Sequence, residues 1–182
     1  MAPGGSRNEQ GERGEAPFEP TAGEFVFCGE STHAVDKKAR VFLPKRFQQG
    51  LNLDSEGDRT AVLSRGLDGC LFLFPLGGLE RALRRMNTEA FAPSEERRLQ
   101  RAFFRHSQRV TLDSSGRLLI PEALRELSGI EPEGEVVMVG VMDRVELWSL
   151  ERWAAYEERS GDAFLELEDL LTGGGARTGE DA

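Results

Sequence analysis

One phrase occurs twice in this 182-residue chain. Residues 33–47 read HAVDKKARVFLPKRF and residues 110–124 read VTLDSSGRLLIPEAL, so Asp36, Arg40 and Pro44 recur as Asp113, Arg117 and Pro121. At average composition, Asp, three residues, Arg, three apolar residues and Pro should arise at on the order of one start position in 10⁵. Two copies therefore mark a duplication. Each copy leads into an apolar helix start, a loop and two short apolar strands: TAVLSRG and CLFLFPL first, EVVMVGV and RVELWSL second. Gly66, Leu73, Phe74 and Leu76 then match Gly140, Leu147, Trp148 and Leu150, and a three-residue deletion in the second connecting loop moves the offset from 77 at the phrase to 74 at the strands. Two units are too few for a solenoid, which needs at least three repeats. The expected object is one pseudo-symmetric α+β domain of two related halves.

Within each phrase the pattern predicts strand, tight turn, strand and short helix. His33 and Val35, then Val41 and Leu43, alternate with period two, KKA and SSG supply the turns, and Gly116 is free to take positive φ. Ala39 holds the corresponding place in the first turn, where a Cβ tolerates that conformation poorly. Pro44 and Pro121 suit the first turn of the helices KRFQQGL and EALRELSGI. Between the copies lies a helical stretch broken near Ala92-Pro93, with Ser94 as cap and Leu99, Ala102, Phe103 and His106 on one face. After the second copy, Trp153, Tyr156, Phe164, Leu167 and Leu170 suggest helices whose outer faces are acidic.

The net charge of −9 opposes nucleic-acid binding until it is divided along the chain. Residues 1–24 carry two Arg against five Glu and residues 157–182 two Arg against eight acids, which leaves 25–156 neutral. Residues 1–24 and 172–182 are Gly-rich and poor in apolar residues, a disorder signature. The two phrases also differ: residues 33–46 hold Lys37, Lys38, Arg40, Lys45 and Arg46 against Asp36, whereas residues 110–126 hold Arg117 and Arg125 against Asp113, Glu122 and Glu126. Attraction to phosphate should concentrate on the first copy. No run of about 18 apolar residues and no signal-peptide core is present, so a cytoplasmic protein without membrane contact is expected. Cys28 and Cys70 lack metal-ligand spacing and are expected to be buried, reduced thiols. With two histidines and no nucleophile elbow, P-loop or dinucleotide fingerprint, no catalytic residue, metal or cofactor is expected.

An Asp four residues ahead of an Arg supports two readings. Its carboxylate accepts turn amides and fixes a loop that presents the Arg fork to phosphate or to the O6 and N7 edge of guanine. Alternatively, Asp and Arg simply pair to hold the turn. Lys45 and Arg46 are likewise either phosphate contacts or a solvated helix face.

The doubled phrase, the strand GCLFLFPL with Leu79 following, the helix SEERRLQRAFFRHS and the stretch VMVGVMDRVELWSLERW together resemble the MraZ family of bacterial transcriptional regulators over about residues 25–156. The resemblance implies two AbrB-like swapped-hairpin β-barrel halves with flanking helices. It divides the chain into an acidic tail (1–24), a first repeat (30–77), a helical connector (78–106), a second repeat (107–150), C-terminal helices (151–171) and a second tail (172–182). It also implies a ring-shaped homo-oligomer, associated with the nucleoid. Such a ring binds direct repeats in double-stranded promoter DNA and represses the cell-division and cell-wall cluster together with its own gene. Lys38, Arg40 and Arg117 are thereby placed at the DNA, with Lys37, Lys45 and Arg46 as further basic candidates and Asp36, Asp113 and Gly116 supporting the turns. A partner-binding or assembly module on the same fold is the competing expectation.

Overall fold

The computed structural model describes residues 26–84 and 86–172; the expected tails, apart from Thr172, lie outside them. The first half runs β1 (Phe27–Ala34), β2 (Arg40–Phe42), α1 (Lys45–Gln48), β3 (Asn52–Leu53), β4 (Arg59–Arg65), β5 (Leu71–Phe74) and α2 (Leu76–Ala82). Helix α3 (Ser94–Phe104) leads to the second half: β6 (Ser107–Thr111), β7 (Arg117–Leu119), α4 (Glu122–Ser128), β8 (Glu135–Met142), β9 (Arg144–Ser149) and α5 (Leu150–Ser160), followed by α6 (Ala163–Thr172).

The prolines act one position earlier than expected. Pro44 and Pro121 stand before α1 and α4 with ψ of 143° in both cases, so the chain leaves the strand extended while their carbonyls accept the amides of Phe47 and Leu124. Pro93 likewise occupies the cap of α3, which makes Ser94 the first helical residue, with no side-chain cap bond. His106 falls past the end of α3 rather than on its face; its carbonyl already accepts the Arg65 amide at 3.0 Å, where the chain has turned into β6.

The halves exchange strands. All sheet pairs are antiparallel, in the order β1-β8-β9-β5-β4-β3 with β6 also on β4 and a separate β2-β7 ribbon. The opening strand of each half therefore pairs with the hairpin of the other. Two registers map onto themselves under the repeat: Val41 faces Leu118, its own counterpart at an offset of 77, and Phe72 faces Glu146, its counterpart at 74. A pseudo-twofold axis thus passes through both pairs. Ala39 and Gly116, with φ of 59° and 74°, are equivalents in the left-handed region, as are Asp68 and Met142 at 55° and 49°.

One core joins the halves. Val41, Leu43 and Ile120 are buried beside Leu118, Met138, Leu63 and Leu147, and each such side chain contributes roughly 1.5–3 kcal/mol. On the opposite face of β8 and β9, Val137, Trp148 and Cys70 pack beneath α5, where Trp148 lies 5.0 Å from Tyr156 and 5.4 Å from Trp153 between ring centres. Helices also cross between halves. A Cβ on Gly78 of α2 would collide with the Asp143 carbonyl in the β8-β9 turn. At the equivalent crossing, Arg152 of α5 donates to the carbonyls of Gly69 and Leu127, both at 2.7 Å. Glycine and its contact have changed sides between the two crossings. Cys28 departs from expectation: on β1, an edge strand, Phe27 points inward and Cys28 outward, so Cys28 is exposed while Cys70 is buried. Among the described residues no helix is long and apolar enough to cross a membrane.

Candidate nucleic-acid interface

Both turns are built bond for bond alike. Asp36 Oδ1 accepts the amides of Lys38 and Arg40 at 2.8 and 2.9 Å, and Asp113 Oδ1 accepts those of Ser115 and Arg117, both at 2.9 Å. The second carboxylate oxygen of each takes the Nε–H of its own arginine, Arg40 or Arg117, at 2.8 Å. The two readings of Asp-x3-Arg are therefore not alternatives: one carboxylate fixes the loop and holds the guanidinium. A short side chain with two acceptor oxygens satisfies turn amides that would otherwise need water.

The β2-β7 ribbon then brings the arginines together. Arg40 pairs with Leu119 and Phe42 with Arg117, while the Leu43 amide reaches the Gly116 carbonyl at 3.0 Å and the Ile120 amide reaches the Ala39 carbonyl at 2.9 Å. Alternation turns Val41 and Leu118 into the core and leaves Arg40, Phe42, Arg117 and Leu119 on the opposite face. Phe42 is 40% and Leu119 53% exposed. Arg40 Nη2 lies 2.6 Å from Asp36, and Nη1 lies 3.6 Å from Asp113 Oδ2, the oxygen that Arg117 Nε occupies at 2.8 Å. Asp113 is thus shared by both arginines. The resulting surface is a two-stranded ribbon with two forks and two apolar side chains, related by the pseudo-twofold.

Electrostatics reinforce the turns. The side-chain bond from Arg40, with the turn amides, draws the Asp36 carboxyl from its ordinary 3.8 to about 2. Asp113 is also lowered, first by the backbone bond from Arg117. Both remain ionised at neutral pH.

The other basic candidates divide. Lys37 and Lys38 extend from the first turn into solvent, Lys37 within 3.7 Å of Glu133. Lys45 is exposed on α1. Arg46 is instead a strap: its Nη2 donates to the Glu30 carbonyl at 2.9 Å and Ser31 Oγ at 3.0 Å, and its guanidinium lies 4.8 Å from the centre of the Phe47 ring. Gly116 occupies the left-handed corner of the second turn, where a Cβ would be strained and would push aside the Gln48 side-chain amide. Sequence reasoning did not single out Phe42, Leu119 or the shared role of Asp113. Period-two alternation pointed to the first two, whereas the third follows only from strand pairing.

A family model described as "MraZ protein, putative antitoxin-like" matches residues 26–102 and 103–170, one unit per half. The chain is 38% identical over 143 residues to the transcriptional regulator MraZ of Symbiobacterium thermophilum, covering 79% of this chain and 98% of that relative. The proteins of the same name from Heliobacterium modesticaldum and Pelotomaculum thermopropionicum are 36% and 37% identical over 146 residues, 80% of this chain and 96% and 95% of theirs.

Proposed function

The chain belongs to the MraZ family, and from that membership we propose that it is a transcriptional regulator that binds double-stranded promoter DNA through the β2-β7 ribbon. The observation that carries this reading is the convergence of Arg40 and Arg117 on one solvent-facing ribbon, flanked by Lys37 and Lys38. A two-stranded ribbon fits the major groove, about 12 Å wide, where an Arg fork reads guanine and an apolar side chain meets the thymine methyl. Asp36 and Asp113 hold the forks in place before DNA arrives, which reduces the ordering cost of binding.

The same reading takes the fold to be of the AbrB swapped-hairpin type, supported by the reciprocal strand exchange. Copies assemble head to tail into a ring on direct repeats, so weak single contacts gain strength through effective concentration. The target is the cell-division and cell-wall cluster, including the protein's own promoter, and the effect is repression. The basic first turn supplies more of the phosphate attraction; Lys45 adds to it, and Arg46 contributes mainly through its strap on β1.

A partner-binding module is the second reading, favoured by the carboxylates that already engage both guanidinium groups. Titration of the protein with its own upstream duplex and a scrambled duplex in a salt series separates the two. Sequence-dependent binding that weakens steeply with salt and collapses in Arg40→Ala is expected; equal or absent binding to both duplexes would exclude the regulator.

A further inference from the structure

We propose that α6 of one protomer seats its apolar stripe in the groove bounded by α2, α3 and the β4-β5 hairpin of a second copy. Every residue of α6 is exposed, with Phe164 at 73%, Leu170 at 78% and Leu171 at 75%. A helix of ten residues is too short to persist alone in water, where the limit is about 12–15 even for good helix formers. Phe164, Leu167 and Leu171 recur at i, i+3 and i+7 with Leu170 beside them, the anchor spacing by which a helix enters an apolar groove. Glu166, Glu168 and Asp169 take the remaining faces together with Leu165.

The receptor is present on the same chain. A groove of about 630 Å³ is lined by Phe72, Phe74, Leu83, Met86, Leu99 and Phe103, among others. Leu99 is 46% exposed, and no residue of α3 is buried. Charges on the two parts are opposite: residues 76–109 hold eight Arg against four Glu, and Arg65 itself lines the groove, whereas α6 has three acids and no basic residue. Helix α5 packs on β8 and β9, whereas every residue of α6 is exposed in its own chain, which leaves its stripe for the groove of a neighbour. Donor and receptor are different patches, and such contacts propagate head to tail.

The contact rests on the assembly reading above, and sedimentation equilibrium of the full chain tests the two separately. Wild type is expected at a multiple of 20.2 kDa, and Leu167→Asp/Leu171→Asp and Leu99→Asp at smaller mass with the circular dichroism of the folded protomer retained, since all three positions are exposed in the single chain. A Leu99→Cys chain mixed with a Leu170→Cys chain, each carrying Cys28→Ser, is expected to give a disulfide-linked pair of chains. A monomeric wild type would overturn both the assembly and the contact. An oligomeric wild type whose mass survives the Asp variants, without mixed cross-links, would overturn the contact alone.

Discussion

The first and second turns share every hydrogen bond and little of their chemistry. Asp36 and Asp113 bind the same amides and the same Nε, yet the residues between Asp and Arg are Lys37, Lys38 and Ala39 in one and Ser114, Ser115 and Gly116 in the other. Arg40 is gripped by two carboxylates and Arg117 by one. Geometry is thus copied by the three residues that repeat, and charge is set by the ones that do not. Because the ribbon places both forks on one face, the halves differ in the strength of their fields and not in the surface they address.

Breaking the pair on the pseudo-twofold should have the largest effect. Leu118→Ala is expected to cost about 3 kcal/mol in urea unfolding, since Leu118 is fully buried between the halves, and Val41→Ala less because it removes fewer atoms. Losses confined to one half, seen as two separate transitions, would show that the halves do not share a core.

The arginines test the charge asymmetry. Arg40→Ala should weaken binding to the upstream duplex by about 1–3 kcal/mol, roughly five- to 150-fold, with Arg117→Ala milder, as measured by anisotropy at fixed salt. A larger loss for Arg117→Ala would reverse the ranking of the two turns.

The corner residues sharpen the comparison further. Gly116→Ala should destabilise by about 1–2 kcal/mol, since a left-handed Cβ is strained and would press on Gln48. Ala39→Gly should stabilise by only about 0.5 kcal/mol, because relief of that strain is offset by the greater freedom of glycine in the unfolded chain. Melting temperatures of the two variants should move in opposite directions.

The smallest effect is the response to acid. The Asp36 carboxyl is depressed, so its stabilisation is fully present above about pH 4 and is lost as pH falls toward about 2. Carboxyl-carbon NMR should find the Asp36 midpoint near 2 and that of Asp113 also below the ordinary aspartate value. An ordinary midpoint at Asp36 would mean that its turn bonds do not form in solution.

The sequence by itself determined the duplication, legible in the recurrence of Asp, Arg and Pro at an offset of 77, and the strand-turn-strand-helix order of each phrase, which depends on residues within a few positions of one another; for Asp-x3-Arg it left two readings that the structure joined. The strands TAVLSRG and EVVMVGV appear as β4 and β8, and the paired turns form where alternation breaks at KKA and SSG. Tertiary structure alone decided that β1 crosses to β8 and β6 to β4, that Arg40 reaches Asp113, and that Gly78 admits the Asp143 carbonyl. No local pattern encodes those choices. Each half has apolar faces it cannot cover itself, and the exchange that buries them is selected only when both halves are present to pack.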